Sequence, residues 1–141
     1  MADTMQFDLV SPERQLASMQ ATSVSVPGAE GNMTVMPGHT PVITTLRPGR
    51  VLVSSPEGDA EYVVTGGFAE IGNDGISVLA ERAVPRGEMS QEEFQSMVDE
   101  AKARAEKARE TYQNEPGPVD DALHLLHDMV AMGEDIGHNA N

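Results

Sequence analysis

No cysteine and no tryptophan occur in these 141 residues, and aromatic side chains make up only 4% of them. Without thiols there is no disulfide framework and no thiolate metal site, which suits a reducing compartment. With so few rings, the core must be built from Val, Ile, Leu and Met. No apolar run approaches 18 residues, so no membrane-spanning helix is expected. The start has no basic-then-apolar leader, so the expectation is a soluble chain that is not exported.

Positive charge is the second scarcity. The formal net charge is −14. Residues 1–86 hold 10 acidic and 5 basic side chains, and residues 87–141 hold 13 acidic and 4 basic. Beyond Arg109 there are 32 residues with seven carboxylates and neither Lys nor Arg. A polyanion gains nothing from such a surface, so nucleic acid is excluded as a partner.

What is present is punctuation. Between Val26 and Arg50, Pro-Gly recurs at Pro27-Gly28, Pro37-Gly38 and Pro48-Gly49. Pro presets φ for a turn and Gly accepts positive φ after it, so the backbone is expected to reverse about every ten residues. Short strand signals fill residues 1–86: Met5–Val10, Ala21–Val26, Met33–Met36, Val42–Leu46, Val51–Ser54, Ala60–Thr65, Phe68–Ile71 and Gly75–Ala80. Glu57-Gly58-Asp59 and Asn73-Asp74-Gly75 are hairpin turns. Together they predict an all-antiparallel β-sandwich or flattened barrel. Gly66-Gly67 lacks the Lys-Ser/Thr of a phosphate loop; a bulge or a close backbone approach is the better reading.

The period then changes from two to 3.6. Ser90-Gln91-Glu92-Glu93 forms a capping box. Phe94, Met97, Val98, Ala101, Ala105, Ala108 and Tyr112 share one helical face, and the alanine seam admits a second helix closely. Asn114-Glu115-Pro116-Gly117-Pro118 ends this helix. A second helix is predicted from Asp120 or Asp121, with Ala122, Leu125, Leu126, Met129 and Val130 on one face and a polar tail fraying from Gly133. The fold class is therefore α+β, with a β-domain over 1–86 and a helical hairpin over 87–141.

Catalytic chemistry needs a nucleophile with its base, paired carboxylates or a metal nest, and none is evident. His39 lies in a Pro-Gly-His-Thr-Pro turn. His124 and Asp128 stand at i,i+4 with His127 off that line, too few ligands for a closed site. No cofactor and no metal are expected. Two other readings stay open: a free-standing β-domain that binds a small ligand and dimerises through its hairpin, and a metal-dependent hydrolase using His39 with the helix histidines.

Three ordered blocks carry a resemblance. They are Phe7-Asp8-Leu9-Val10-Ser11-Pro12-Glu13; the run Glu30 to Pro41 (EGNMTVMPGHTP) followed by Leu46-Arg47-Pro48-Gly49; and Gly66-Gly67-Phe68-Ala69-Glu70-Ile71 with Val78-Leu79-Ala80. The chain resembles the ε subunit of bacterial F-type ATP synthases, closely over residues 5 to 86. That resemblance implies a non-catalytic rotor subunit whose β-sandwich grips the γ shaft and rests on the polar loops of the membrane c-ring, within the α/β/γ assembly. It implies ring contact through Glu30, Gly31, Asn32, Gly38, His39 and Thr40, and γ contact through Val42, Glu70 and Val78. It implies a peripheral location on the cytoplasmic side of the inner membrane.

The chain also departs from that family. Many members carry an acid at the place of Asn32, so a neutral hydrogen bond is expected there instead of an ion pair. Inhibitory relatives use basic residues on the second helix, and some bind ATP through an Ile/Leu-Asp-x-x-Arg-Ala motif. Here that helix has Asp120, Asp121 and Asp128, and the motif's place reads Phe94-Gln95-Ser96-Met97-Val98-Asp99. Inhibition and ATP binding are therefore expected to be weak or absent.

Overall fold

The computed structural model describes residues 3–112 and 116–138, without the side chain of Pro116. The chain divides into two compact units, Met1–Glu88 and Met89–Asn141.

The first unit contains β1 (Met5–Val10), β2 (Gln15–Ala21), β3 (Ser23–Gly28), β4 (Gly31–Val35), β5 (Val42–Leu46), β6 (Gly49–Ser54), β7 (Ala60–Val64), β8 (Gly67–Ile71), β9 (Gly75–Ala80) and β10 (Ala83–Pro85), then a 3-10 turn over Arg86–Glu88. The hydrogen-bonded order is β10-β7-β6-β3-β5-β8-β9-β1-β2, with β4 paired to β3. The edge strands β10 and β2 approach each other, so the sheet wraps into a nearly closed barrel. Period two explains the wrap: Met5, Phe7 and Leu9 point inward while Gln6, Asp8 and Val10 are half-buried,. Val24, Val26, Val35, Val51, Val53, Ile71, Ile76 and Val78 complete a core of small branched side chains.

Three expectations are corrected here. The sheet is not wholly antiparallel, because β1 pairs with β9 in parallel, Phe7 opposite Ile76 and Leu9 opposite Val78. A strand that pairs across more than sixty residues leaves no local turn signal. The sequence pattern does not show the strand β2: its inward positions are Ala17, Met19 and Ala21, two of them alanines and Met19 only half-buried, so apolar alternation is faint. Only one of the three Pro-Gly pairs is a free turn. Gly38 has φ +82° and the His39 amide donates to the Met36 carbonyl at 3.2 Å,. Pro27-Gly28 instead lies inside β3, and Gly49 opens β6 with its absent β-carbon 2.5 Å from Pro27 Cβ. At Gly67 a β-carbon would sit 2.0 Å from the Leu79 carbonyl oxygen, the close backbone approach read from the sequence,.

The second unit holds α1 (Gln91–Thr111) and α2 (Pro116–Ile136), which pack against each other. The Ser90 hydroxyl accepts from the Glu93 amide at 3.0 Å, capping α1,. Helix α2 begins at Pro116, earlier than the expected Asp120 or Asp121. Proline in a first helical turn forfeits no needed donor, so Pro116 and Pro118 start this helix instead of preceding it. Asn114 and Glu115 lie outside the described residues. Nor does the chain fray at Gly133: α2 continues to Ile136, with Met132 and Ile136 buried. Gly137 at φ +82° and two bonds, Gly137 amide to Glu134 carbonyl and His138 amide to Gly133 carbonyl, form a Schellman cap,. Residues 139–141 lie outside the described residues.

Candidate functional site

The expected ring-facing residues fall in two turns, one at each end of β4. Glu30, Gly31 and Asn32 make the β3–β4 hairpin tip and are exposed. Gly38, His39 and Thr40 make the β4–β5 loop, with His39 half-buried. His39 Nδ1 lies 2.7 Å from the Thr40 carbonyl, so the ring braces its own loop.

The hairpin tip is held from outside. Arg47, in the corner between β5 and β6, donates from Nη2 to Asn32 Oδ1 and from Nε to the Gly28 carbonyl at 3.1 Å. Its own amide donates to the Pro27 carbonyl at 3.0 Å, and the Ala29 amide donates to the Thr45 carbonyl at 2.9 Å. Residues 27–32 thus rest on one neighbouring corner, an anchor that the sequence reading did not include.

Of the expected γ-facing residues, Val42 and Glu70 are exposed. Val78 is not. At 0% exposure it lies in the core with Ile76 and Ala80, because β9 turns those positions inward and Leu79 outward. The outward phase carries what the sequence reading missed. Ile43 is 68% exposed, Phe68 45% and Leu79 39%, and Phe68 lies opposite both Thr45 and Leu79 across the ladder. A strip of large apolar side chains thus runs over β5, β8 and β9. The phase of Gly67–Ile71 could have revealed it, since Ala69 and Ile71 inward force Phe68 outward. Beside it, Glu70, Asp8 and Asp74 rim an open depression of about 400 Å³.

In the hairpin, Phe94, Met97, Val98, Ala101, Ala105 and Met129 are buried, and Ala108, Leu125 and Leu126 are half-buried. His39 belongs to the β4–β5 loop, whereas His124 and His127 border one open hollow on α2, and His138 Nε2 lies 2.8 Å from the Met89 carbonyl. Among the described residues no group of three or more His, Cys, Asp or Glu could hold a metal ion, and no helix is long and apolar enough to cross a membrane.

Comparison with known proteins agrees with this architecture. Residues 4–86 match the family described as ATP synthase, Delta/Epsilon chain, beta-sandwich domain. The chain is 56% identical over 133 residues to the ATP synthase epsilon chain of Ruegeria sp. (strain TM1040), covering 94% of this chain and 96% of that one. It is 51% identical over 142 residues to the ATP synthase epsilon chain of Paracoccus denitrificans (strain Pd 1222), covering 100% and 96% respectively. A chain in the structure of the Euglena gracilis mitochondrial ATP synthase, with OSCP, F1 and c-ring, shares the fold. Its TM-score is 0.65 at 23% identity, covering 91% of this chain and 80% of that one. With sequence and fold in agreement over nearly its whole length, the chain belongs to the ATP synthase epsilon family.

Proposed function

We propose that this chain is the central-stalk rotor subunit of a proton-translocating F-type ATP synthase, joining the γ shaft to the c-ring without catalysing a reaction itself. The observation that carries the reading is the exposed strip of Ile43, Phe68 and Leu79 on a chain of this family. Apolar groups of that size, held on paired strands, favour burial against a partner. A close-packed barrel suits torque transfer because it passes strain on instead of absorbing it. In this reading γ covers the strip together with Val42 and Glu70, while the turns bearing Glu30, Gly31, Asn32, Gly38, His39 and Thr40 meet the ring. The subunit is then peripheral, on the cytoplasmic face of the bacterial inner membrane, and held there through the complex.

The second helix supports a further part of the reading. Between Pro116 and Ile136 stand Asp120, Asp121, Asp128, Glu134 and Asp135, with no Lys or Arg. Such a helix is repelled by an acidic partner surface, which favours weak or absent inhibition of ATP hydrolysis, while Phe94-Gln95-Ser96-Met97-Val98-Asp99 at the place of the ATP-binding motif favours no ATP binding.

Capture of the tagged chain from detergent-solubilised native membranes tests the assignment. Co-recovery of α, β, γ and c subunits is the expected result. Recovery of a self-associated dimer alone, the outcome for a free-standing ligand-binding domain, overturns it.

A further inference from the structure

We infer that Arg47 sets the hydrogen-bonding polarity of the β3–β4 docking turn, fixing the Asn32 side chain so that it offers donors, not acceptors, to the partner. This rests on the docking reading above and names the chemistry of that contact.

A guanidinium can donate and cannot accept. Arg47 Nη2 lies within hydrogen-bond distance of the Asn32 amide, so the amide oxygen must face Arg47 and the amide nitrogen must face away,. Asn32 is exposed, so its two outward N–H groups are free to meet a partner. The arginine cannot easily turn away to release them. Its Nε is engaged by the Gly28 carbonyl at 3.1 Å and its amide by the Pro27 carbonyl at 3.0 Å, two bonds that fix the fork's position,. The glycines beside it complete the seat. A β-carbon on Gly28 would lie 2.7 Å from the Gly31 carbonyl oxygen, and one on Gly49 would lie 2.5 Å from Pro27 Cβ. This corner therefore closes to a distance that no other residue type allows.

The consequence is chemical. A carboxylate at position 32 would present only acceptors, and it would pair with Arg47 as an ion pair. Asparagine keeps the brace yet turns a donor outward, so the partner group is an acceptor such as a backbone carbonyl or a side-chain amide oxygen. The turn is also ordered before contact, which lowers the entropy cost of docking.

The test uses the purified full-length chain and ATP synthase complex from the native membranes stripped of this subunit. Wild type, Asn32→Asp, Asn32→Ala and Arg47→Lys are titrated against that complex, and the thermal midpoint of each free chain is recorded. Saturable binding of wild type is required first; its absence overturns the docking reading itself. Given that binding, Asn32→Asp is expected to bind about ten-fold more weakly or worse, although its free-chain midpoint holds or rises through the new ion pair with Arg47. Affinity then falls with no loss of stability, which a folding defect cannot produce. Arg47→Lys is expected to lower both, since an ammonium cannot span Asn32 and Gly28 together. If Asn32→Asp binds within about three-fold of wild type, or more tightly, the inference is overturned.

Discussion

The ring of Phe94 occupies the space where Gly133 has no side chain: a β-carbon there would lie 2.0 Å from Phe94 Cζ. One helix carries the knob and the other the notch, and the imidazole of His138 stacks on the same ring with centroids 5.9 Å apart. Glycine inside a helix costs about 1 kcal/mol relative to alanine. Gly133→Ala relieves that cost but forces the ring out, and overpacking costs about 1–3 kcal/mol. The expected outcome is a net loss of hairpin stability, read as faster amide exchange through α2. Slower exchange in the variant would show that the notch is not filled as described.

The strip and the core separate by substitution. Ile43→Ser and Phe68→Ser remove exposed apolar surface, so the thermal midpoint is expected to hold while recovery of γ in the capture experiment falls several-fold. Val78→Ala behaves oppositely, because its side chain is wholly enclosed. It is expected to lose about 2 kcal/mol of stability and, at temperatures where it remains folded, to recover γ as wild type does. Equal loss of γ in all three would return Val78 to the contact surface.

Tyr62 makes a pH prediction. Burial against the core, with the Phe7 ring centroid 6.4 Å away, raises its phenol pKa above the ordinary 10.0. The folded state then holds the proton more tightly than the unfolded chain does. The corresponding stability is fully present below pH 10.0 and is lost as pH climbs from there through the raised folded value,. Denaturant midpoints from pH 9 upward are expected to decline from about pH 10, and Tyr62→Phe is expected to remove that component. An unchanged decline in the variant would assign it to other groups.

Glu61 gathers two cations from separate elements: Arg50 on β6 at 3.5 Å and Arg86 in the 3-10 turn at 3.1 Å. Arg86 is almost half exposed, so solvent screens much of that second pair. Glu61→Gln is expected to cost about 1 kcal/mol or less, with the difference shrinking in about 1 M salt. A larger, salt-independent loss would mean that packing, not charge, is what Glu61 supplies.

How much of this could be read beforehand follows from the range of each signal. Local chemistry was legible: the Ser90 cap, the turns at Gly58 and Gly75, the alternation of Met5, Phe7 and Leu9, and the close approach at Gly67 all announce themselves within a few residues. Strength of pattern set the next limit. Gln15–Ala21 has an inward face of two alanines and one half-buried methionine, too faint to show, and Pro116 looks like a terminator until it stands in a first helical turn. Long-range relations were not legible. The reach of Arg47 to Asn32 and the seat of Phe94 on Gly133 depend on how distant segments meet. Among the expected contact residues, Val42 and Glu70 reach the surface while Val78 does not, because a one-residue phase on β9 decides between Val78 and Leu79.

The parallel pairing of β1 with β9 has a consequence for biogenesis. Met5–Val10 is translated well before one of its two neighbours, Gly75–Ala80, which follows some seventy residues later. Until then the nascent chain can close the β1–β2 hairpin but carries a bare strand edge, a template for unwanted pairing. The native topology of this unit is thus sealed only once residue 80 has emerged, so the barrel acquires its form late in its own synthesis, ahead of the helices.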